Sequence, residues 1–150
     1  MTGAGMMDCK NALVETQGDF EAAVDFLRKK GAKIAAKRAD REATEGCVIA
    51  MVNDARNAGV IVLLACETDF VAKNEAFVEL AKSIATLALE NKPADLDALK
   101  ALSLNGVAVA DRLLDEVAKI GEKIDVTKYE LVEGANVVSY IHGEIGRAHV

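Results

Sequence analysis

Val60, Ile61, Val62, Leu63, Leu64 and Ala65 form an unbroken apolar run that gives way, over the next few residues, to a different period. The run is too short to span a membrane, and its β-branched residues make it read as a buried strand. Beyond it, Phe77, Leu80, Ala81, Ile84, Leu87 and Ala88 recur at steps of three and four, the stripe of an amphipathic helix. Thr68, Asp69 and Asn74 are the best start signals for that helix. A buried strand handing over to a helix needs strands beside it and helices packed on it. The junction therefore restricts the chain to mixed architectures.

The flanking segments fit that restriction. Residues 47–53 alternate, with Val48, Ala50 and Val52 on one face, and a polar turn over residues 54–59 joins them to the apolar run as a hairpin. Pro93, the chain's single proline, stops the long helix. Residues 95–102 read as a short helix and residues 107–120 as another, ending at Gly121. Residues 123–133 and 136–142 read as strands, with a turn at Glu133, Gly134 and Ala135. Strands before and after a helical block, joined as hairpins, predict an α+β core with antiparallel strands and packed helices.

The N-terminal part is helical. Residues 6–16 read as a helix with Met7, Leu13 and Val14 among its apolar positions, stopped near Gly18. Asp19 caps a second helix over residues 20–30, which carries Phe20, Ala23, Val24 and Leu27 and is expected to end at Gly31. Two such short helices cannot bury their apolar faces alone. Seven cations, Arg28, Lys29, Lys30, Lys33, Lys37, Arg38 and Arg41, then fall within fourteen residues. No aromatic residue is interleaved for base stacking, and Asp40, Glu42 and Glu45 lie within or just after the cluster. A solvated connecting helix fits it better than a nucleic-acid patch.

With 150 residues, 51% of them hydrophobic, the chain can bury roughly two thirds of its unfolded surface, enough for one modest domain or one small and one medium module. A net charge of −6 and a pI near 5.0 argue against nucleic acid or an anionic membrane as the main partner. The first residues lack a basic region followed by an apolar one, so the chain is expected to be cytoplasmic. Cys9, Cys47 and Cys66 lie far apart, without the close pairs of zinc or dithiol motifs, and no metal or cofactor is expected. Two histidines and no glycine-rich phosphate loop give little basis for an enzyme.

The stretch from Cys66 to Asn74 sets the Phe70 ring beside the Asp69 carboxylate at the strand-to-helix junction. Two readings of these residues stand. Asp69 caps a helical turn and Phe70 packs against it, or the pair is presented to a partner.

The sequence Thr68-Asp69-Phe70-Val71-Ala72-Lys73-Asn74 resembles a signature of the bacterial translation elongation factor Ts family, the nucleotide exchange factors for elongation factor Tu. Thr2-Gly3-Ala4-Gly5-Met6-Met7-Asp8-Cys9-Lys10, with Ala12 and Leu13, is similar to the family's other signature, in its N-terminal helical module. The likeness continues through Ala118-Lys119-Ile120-Gly121-Glu122 and Ser139-Tyr140-Ile141-His142-Gly143. It implies a ubiquitin-associated-like helical module over residues 1–31 with its first helix missing. A basic helical connector would occupy residues 32–46, and an α+β core subdomain residues 47–143. Residues 144–150 do not resemble the family. They match an in-frame translation of a common sequencing adapter and are expected to be a non-native tail.

For function, the resemblance implies guanine nucleotide exchange on elongation factor Tu, in its GDP-bound and nucleotide-free states, without direct nucleic-acid or membrane contact. Thr68, Asp69, Phe70 and Val71 would form the element that dislocates magnesium in the partner. Met6, Met7 and Lys10 would belong to the N-terminal contact surface, and Ile120, Gly121 and His142 to the contact surface of the core. The alternative is a generic protein-binding module acting through its N-terminal helices without exchange activity.

Overall fold

A computed structural model describes residues 4–142 and 145–149, the last five by backbone alone. Thr2 and Gly3 of the first signature, Gly143 of the last one, and Glu144 and Val150 lie outside the described residues. The chain opens with α1 (Met6–Glu15) and α2 (Phe20–Lys37), then a hairpin of β1 (Glu45–Val52) and β2 (Ala58–Cys66). A helical block follows: α3 (Asp69–Ala72), α4 (Glu75–Asn91), α5 (Leu96–Ala101), the small hairpin β3 (Ser103–Leu104) and β4 (Val107–Ala108), and α6 (Val109–Ile120). β5 (Asp125–Glu133) and a second hairpin, β6 (Val138–His142) with β7 (Ile145–His149), complete it.

The apolar run is the middle strand of a three-stranded antiparallel sheet in the order β1-β2-β5. Val60, Val62 and Leu64 are fully buried and share one core cluster with Ile84 of α4, Leu99 of α5 and Val117 of α6. Each such side chain contributes about 1.5–3 kcal/mol on burial, which makes this layer the main source of stability. The expected α+β class with antiparallel strands and packed helices is what the chain adopts.

Register decides which face of β1 is inside. Ile49 lies opposite Val62 and Val48 opposite Leu63, and cross-strand neighbours share a face. Cys47, Ile49 and Met51 therefore pack on the core, and the Val48, Ala50 and Val52 face picked out in the sequence is the other one. In β5, Leu63 pairs with Lys128 but Leu64 with Val126, so Thr127 forms a bulge. That extra residue lets both Val126 and Tyr129 meet the core.

The hairpin expected between β5 and β6 does not form. β5 pairs with β2, and β6 pairs with β7. The reason lies in the turn after β5, where Gly134 N–H donates to the Asn57 carbonyl at 3.1 Å and Val137 N–H to the Arg56 carbonyl at 2.7 Å. These bonds tie the chain across the β1–β2 turn, with Val137 fully buried.

α1 and α2 meet in a second, thin cluster of Ala12, Ala23 and Leu27. Met7, Leu13, Val14 and Phe20, read as apolar positions of these helices, are exposed. Asp19 caps α2 as expected, accepting from Ala22 N–H at 3.0 Å. The helix does not end at Gly31, however, but runs to Lys37. Gly31 is there for proximity to α6, as a Cβ at this position would stand 2.3 Å from the Leu114 carbonyl oxygen. Four of the seven clustered cations pair with distant acids: Arg28 with Asp115, Lys30 with Asp8, and Arg38 and Arg41 with Glu67. Among the described residues, no helix is long and apolar enough to cross a membrane.

Candidate functional site

β2 is held by a strand on each side, and the chain leaves it at Cys66 as from a fixed rail. Thr68 is still extended, with φ −125° and ψ 150°, and α3 then makes a single turn. The turn stops because Asn74 starts a new helix, its side chain accepting from Ala76 N–H at 2.9 Å and from Phe77 N–H at 3.4 Å. This break decides the fate of two phenylalanines. Phe77, in the first turn of α4, is only 2% exposed, whereas Phe70 is 83% exposed. Beneath Phe70, Ala72 is buried and Val71 packs against the core, so one side of α3 is rooted and the other lifts the ring outward.

Asp69 does not cap the turn. The capping position is Thr68, whose hydroxyl is turned away to donate to Glu122 Oε1 at 2.7 Å. Asp69 is the first residue of α3, and its carboxylate accepts from Lys73 Nζ at 2.8 Å, a pair that holds the carboxyl below the usual aspartate range. Glu67, just before it, takes two bonds from Arg38 Nη1, at 2.7 and 2.8 Å, and one from Lys123 N–H at 2.7 Å. Burial raises the Glu67 carboxyl. The Lys123 amide and the Arg38 and Arg41 guanidinium groups outweigh it and bring the group below the usual glutamate range. Cys66, fully buried, donates to the Thr68 carbonyl at 3.2 Å. Burial, reinforced by the Glu122 charge, pushes its thiol up to about 11.

Of the residues singled out in the sequence, Phe70, Val71 and Ile120 line one cleft of about 300 Å³, with Phe77, Glu116 and Lys119. Gly121 adjoins it, ending α6 at φ +79° in the left-handed region that favours glycine. A larger cleft of about 620 Å³ between α2, α4 and α6 shares Glu116 and Lys119 as a wall. Met6, Met7 and Lys10 are exposed on α1, Met6 at 87%. His142 is exposed on β6, outside the Phe70 cleft, with its ring stacked on Tyr140 at a centroid distance of 6.1 Å and its Nδ1 3.1 Å from the tyrosine hydroxyl. The site residues thus fall on three surfaces, and Phe70, Val71 and Ile120 share a cleft on one of them. Glu67, Glu122 and Arg38 were not read as site residues. Two of them stand inside the quoted motifs, but nothing in the sequence links positions so far apart.

Fold and site together define an α+β domain that offers an apolar ring at its surface. Among the described residues there is no group of three or more metal-ligating His, Cys, Asp or Glu side chains. The family model described as "Elongation factor TS" matches residues 67–150, a span that includes the segment set apart as a tail. Proteins named "Elongation factor Ts" are similar over nearly the whole chain. The one from Rhodopirellula baltica is 57% identical over 141 residues, covering 94% of this chain and 43% of that protein. The relative from Flavobacterium psychrophilum is 53% identical over 144 residues, 95% of this chain and 51% of that protein. That from Symbiobacterium thermophilum is 50% identical over 152 residues, 99% of this chain and 48% of that protein. The chain belongs to the elongation factor Ts family, and it spans about half the length of the curated relatives it matches.

Proposed function

We propose that this chain is a guanine nucleotide exchange factor for elongation factor Tu in protein synthesis, acting by binding alone. The observation that carries the reading is Phe70: a large apolar ring, almost wholly exposed, on a turn whose neighbouring residues are buried or hydrogen-bonded. An exchange factor must bind the nucleotide-free state of its partner more tightly than the nucleotide-bound state, and linkage makes the effect reciprocal. Burying one phenylalanine is worth roughly 2–3 kcal/mol, and each ~1.4 kcal/mol is a tenfold change in affinity. A ring buried only in the nucleotide-free complex therefore weakens nucleotide binding about 30- to 140-fold.

Thr68, Asp69, Phe70 and Val71 are the element that enters the partner and disturbs its magnesium site. Mg²⁺ requires near-ideal octahedral geometry, so a small displacement of its ligands loosens the ion and the phosphates it bridges. Ile120 and Gly121 extend this contact along the cleft beside Phe70. Met6, Met7 and Lys10 on α1, and His142 on β6, make separate contacts with the same partner.

The test is release of labelled GDP from elongation factor Tu, with Mg²⁺ present, on adding the chain. Acceleration that disappears in Phe70→Ala supports the reading, and equal rates for variant and parent refute it. The exposed Met6 and Met7 favour a second reading, in which the N-terminal helices bind a protein without promoting exchange. In that case Met7→Ala weakens binding, and Phe70→Ala changes nothing.

A further inference from the structure

We infer that Glu122, and behind it Arg38 acting through Glu67, are positioning residues that set the direction of the Phe70 turn. The inference rests on the exchange reading for its purpose and on the hydrogen bonding for its substance. Glu122 follows Gly121, whose left-handed backbone turns the chain at the end of α6 toward the loop after β2. Its carboxylate takes three donors from that loop: Glu67 N–H at 3.2 Å, Thr68 N–H at 3.1 Å and Thr68 Oγ1 at 2.7 Å. The loop answers in kind. Glu67 accepts from Lys123 N–H at 2.7 Å, so residues 67–68 and 122–123 exchange carboxylates for amides in a reciprocal clasp.

The clasp matters because α3 cannot hold itself. A helix of four residues gains too few internal bonds to offset the order it imposes on the backbone, so its direction depends on the packing of Val71 and Ala72 and on what grips its ends. At the C-terminal end Asn74 fixes the start of α4. At the N-terminal end the clasp holds residues 67 and 68 between the rail of β2 and the ring, beside the bond from the Cys66 thiol to the Thr68 carbonyl. Arg38, the residue after α2, closes the arrangement from behind by taking both Glu67 oxygens, with Arg41 at 3.5 Å. Both bonds come from one guanidinium nitrogen, Nη1, and both are charge-assisted. One end of the N-terminal helical pair is thereby tied to the loop that carries Phe70.

A ring held in its binding direction before the partner arrives loses little freedom on binding. Loosening the clasp should therefore raise the concentration needed for exchange more than it lowers the maximal rate.

Three variants of the full chain test this: Glu122→Ala, Glu122→Gln and Arg38→Met, with melting curves to establish that each is folded. Backbone amide hydrogen exchange is the first readout. Glu122→Ala is expected to speed exchange at residues 67–73 about tenfold or more, with the amides of β2 and α4 unchanged. The second readout is GDP release against concentration of the chain. Half-maximal release should need about tenfold more Glu122→Ala protein, with the maximal rate within about twofold. Glu122→Gln, which keeps one acceptor oxygen, should recover part of the loss. Arg38→Met should show the same pattern more weakly, and it decides the matter if Glu122→Ala does not fold. Combined with Phe70→Ala, Glu122→Ala should cost nothing further, because both act through one ring.

Unchanged amide exchange at residues 67–73 overturns the inference. So does a loss of release that is the same with and without the Phe70 ring. If Phe70→Ala alone leaves release intact, the exchange reading falls, and amide exchange alone decides whether the clasp positions the turn.

Discussion

Gly31 of α2 lies so close to α6 that a Cβ built on it would stand 2.3 Å from the Leu114 carbonyl oxygen and 3.2 Å from the Ala118 Cβ. A backbone oxygen inside a helix cannot swing aside as a side chain can. Gly31→Ala must therefore push the two helices apart, disturbing the Arg28–Asp115 pair below. Helix propensity alone would favour alanine by about 1 kcal/mol, while overpacking of this kind costs about 1–3 kcal/mol. The expected net result is a loss of up to about 2 kcal/mol, read as a lower urea midpoint with an unchanged slope. A gain in stability would show that the helices are not in contact at this point.

The same glycine illustrates what the sequence conceals. Gly31 after a run of cations looks like a helix stop, and only the position of Leu114 reveals that it is a contact. β2 was readable because its residues are apolar on both faces, and the start of α4 because Asn74 is a strong cap. The inward face of β1 was not, since Val48, Ile49, Ala50 and Met51 are all apolar and only pairing with β2 breaks the tie. The partner of β5 was hidden for a similar reason, as it depends on backbone bonds between two turns. At the candidate site, residues 68–71 could be located from the chain, but not the clasp, whose halves are 55 residues apart.

Phe70 and Phe77 should respond to truncation in opposite ways. Phe77 is in the core with Leu80 and Ile84, so Phe77→Ala is expected to cost about 3–5 kcal/mol of unfolding free energy. Phe70 touches solvent over most of its surface, and Phe70→Ala should change stability by no more than about 0.5 kcal/mol. Denaturant titrations of the two variants against the parent measure both. A large destabilisation by Phe70→Ala would mean that the ring packs inward, which would remove the basis of the exchange reading.

Cys66 should behave as an inert thiol in the folded chain. It is fully buried beneath the loop that carries Phe70, donates to the Thr68 carbonyl, and its pKa is pushed up to about 11. The reactive species is the thiolate, which is then scarce at neutral pH. Mass-spectrometric mapping after brief alkylation of the native protein should find Cys66 unmodified, and alkylation in denaturant should modify it fully. Rapid native labelling at Cys66 would indicate that the loop over residues 66–68 opens readily.

Two carboxylates should pull the acid stability of the chain in opposite directions. Glu67 has its folded pKa depressed, so its contribution to stability is complete above the ordinary glutamate range near about pH 4.3. That contribution is lost as pH falls through the lower folded value. Asp115 is the reverse case. Burial raises its carboxyl more than the Arg28 and Arg112 charges lower it, so its ionised form is a cost that diminishes as pH falls through the raised folded value. Glu67→Gln should therefore flatten the loss of stability on acidification, and Asp115→Asn should steepen it. Urea titrations from about pH 7 down to about pH 3.5 give both slopes. A Glu67→Gln profile parallel to that of the parent would mean that the Arg38–Glu67 grip is not maintained in solution, and with it would go the tie between α2 and the Phe70 turn.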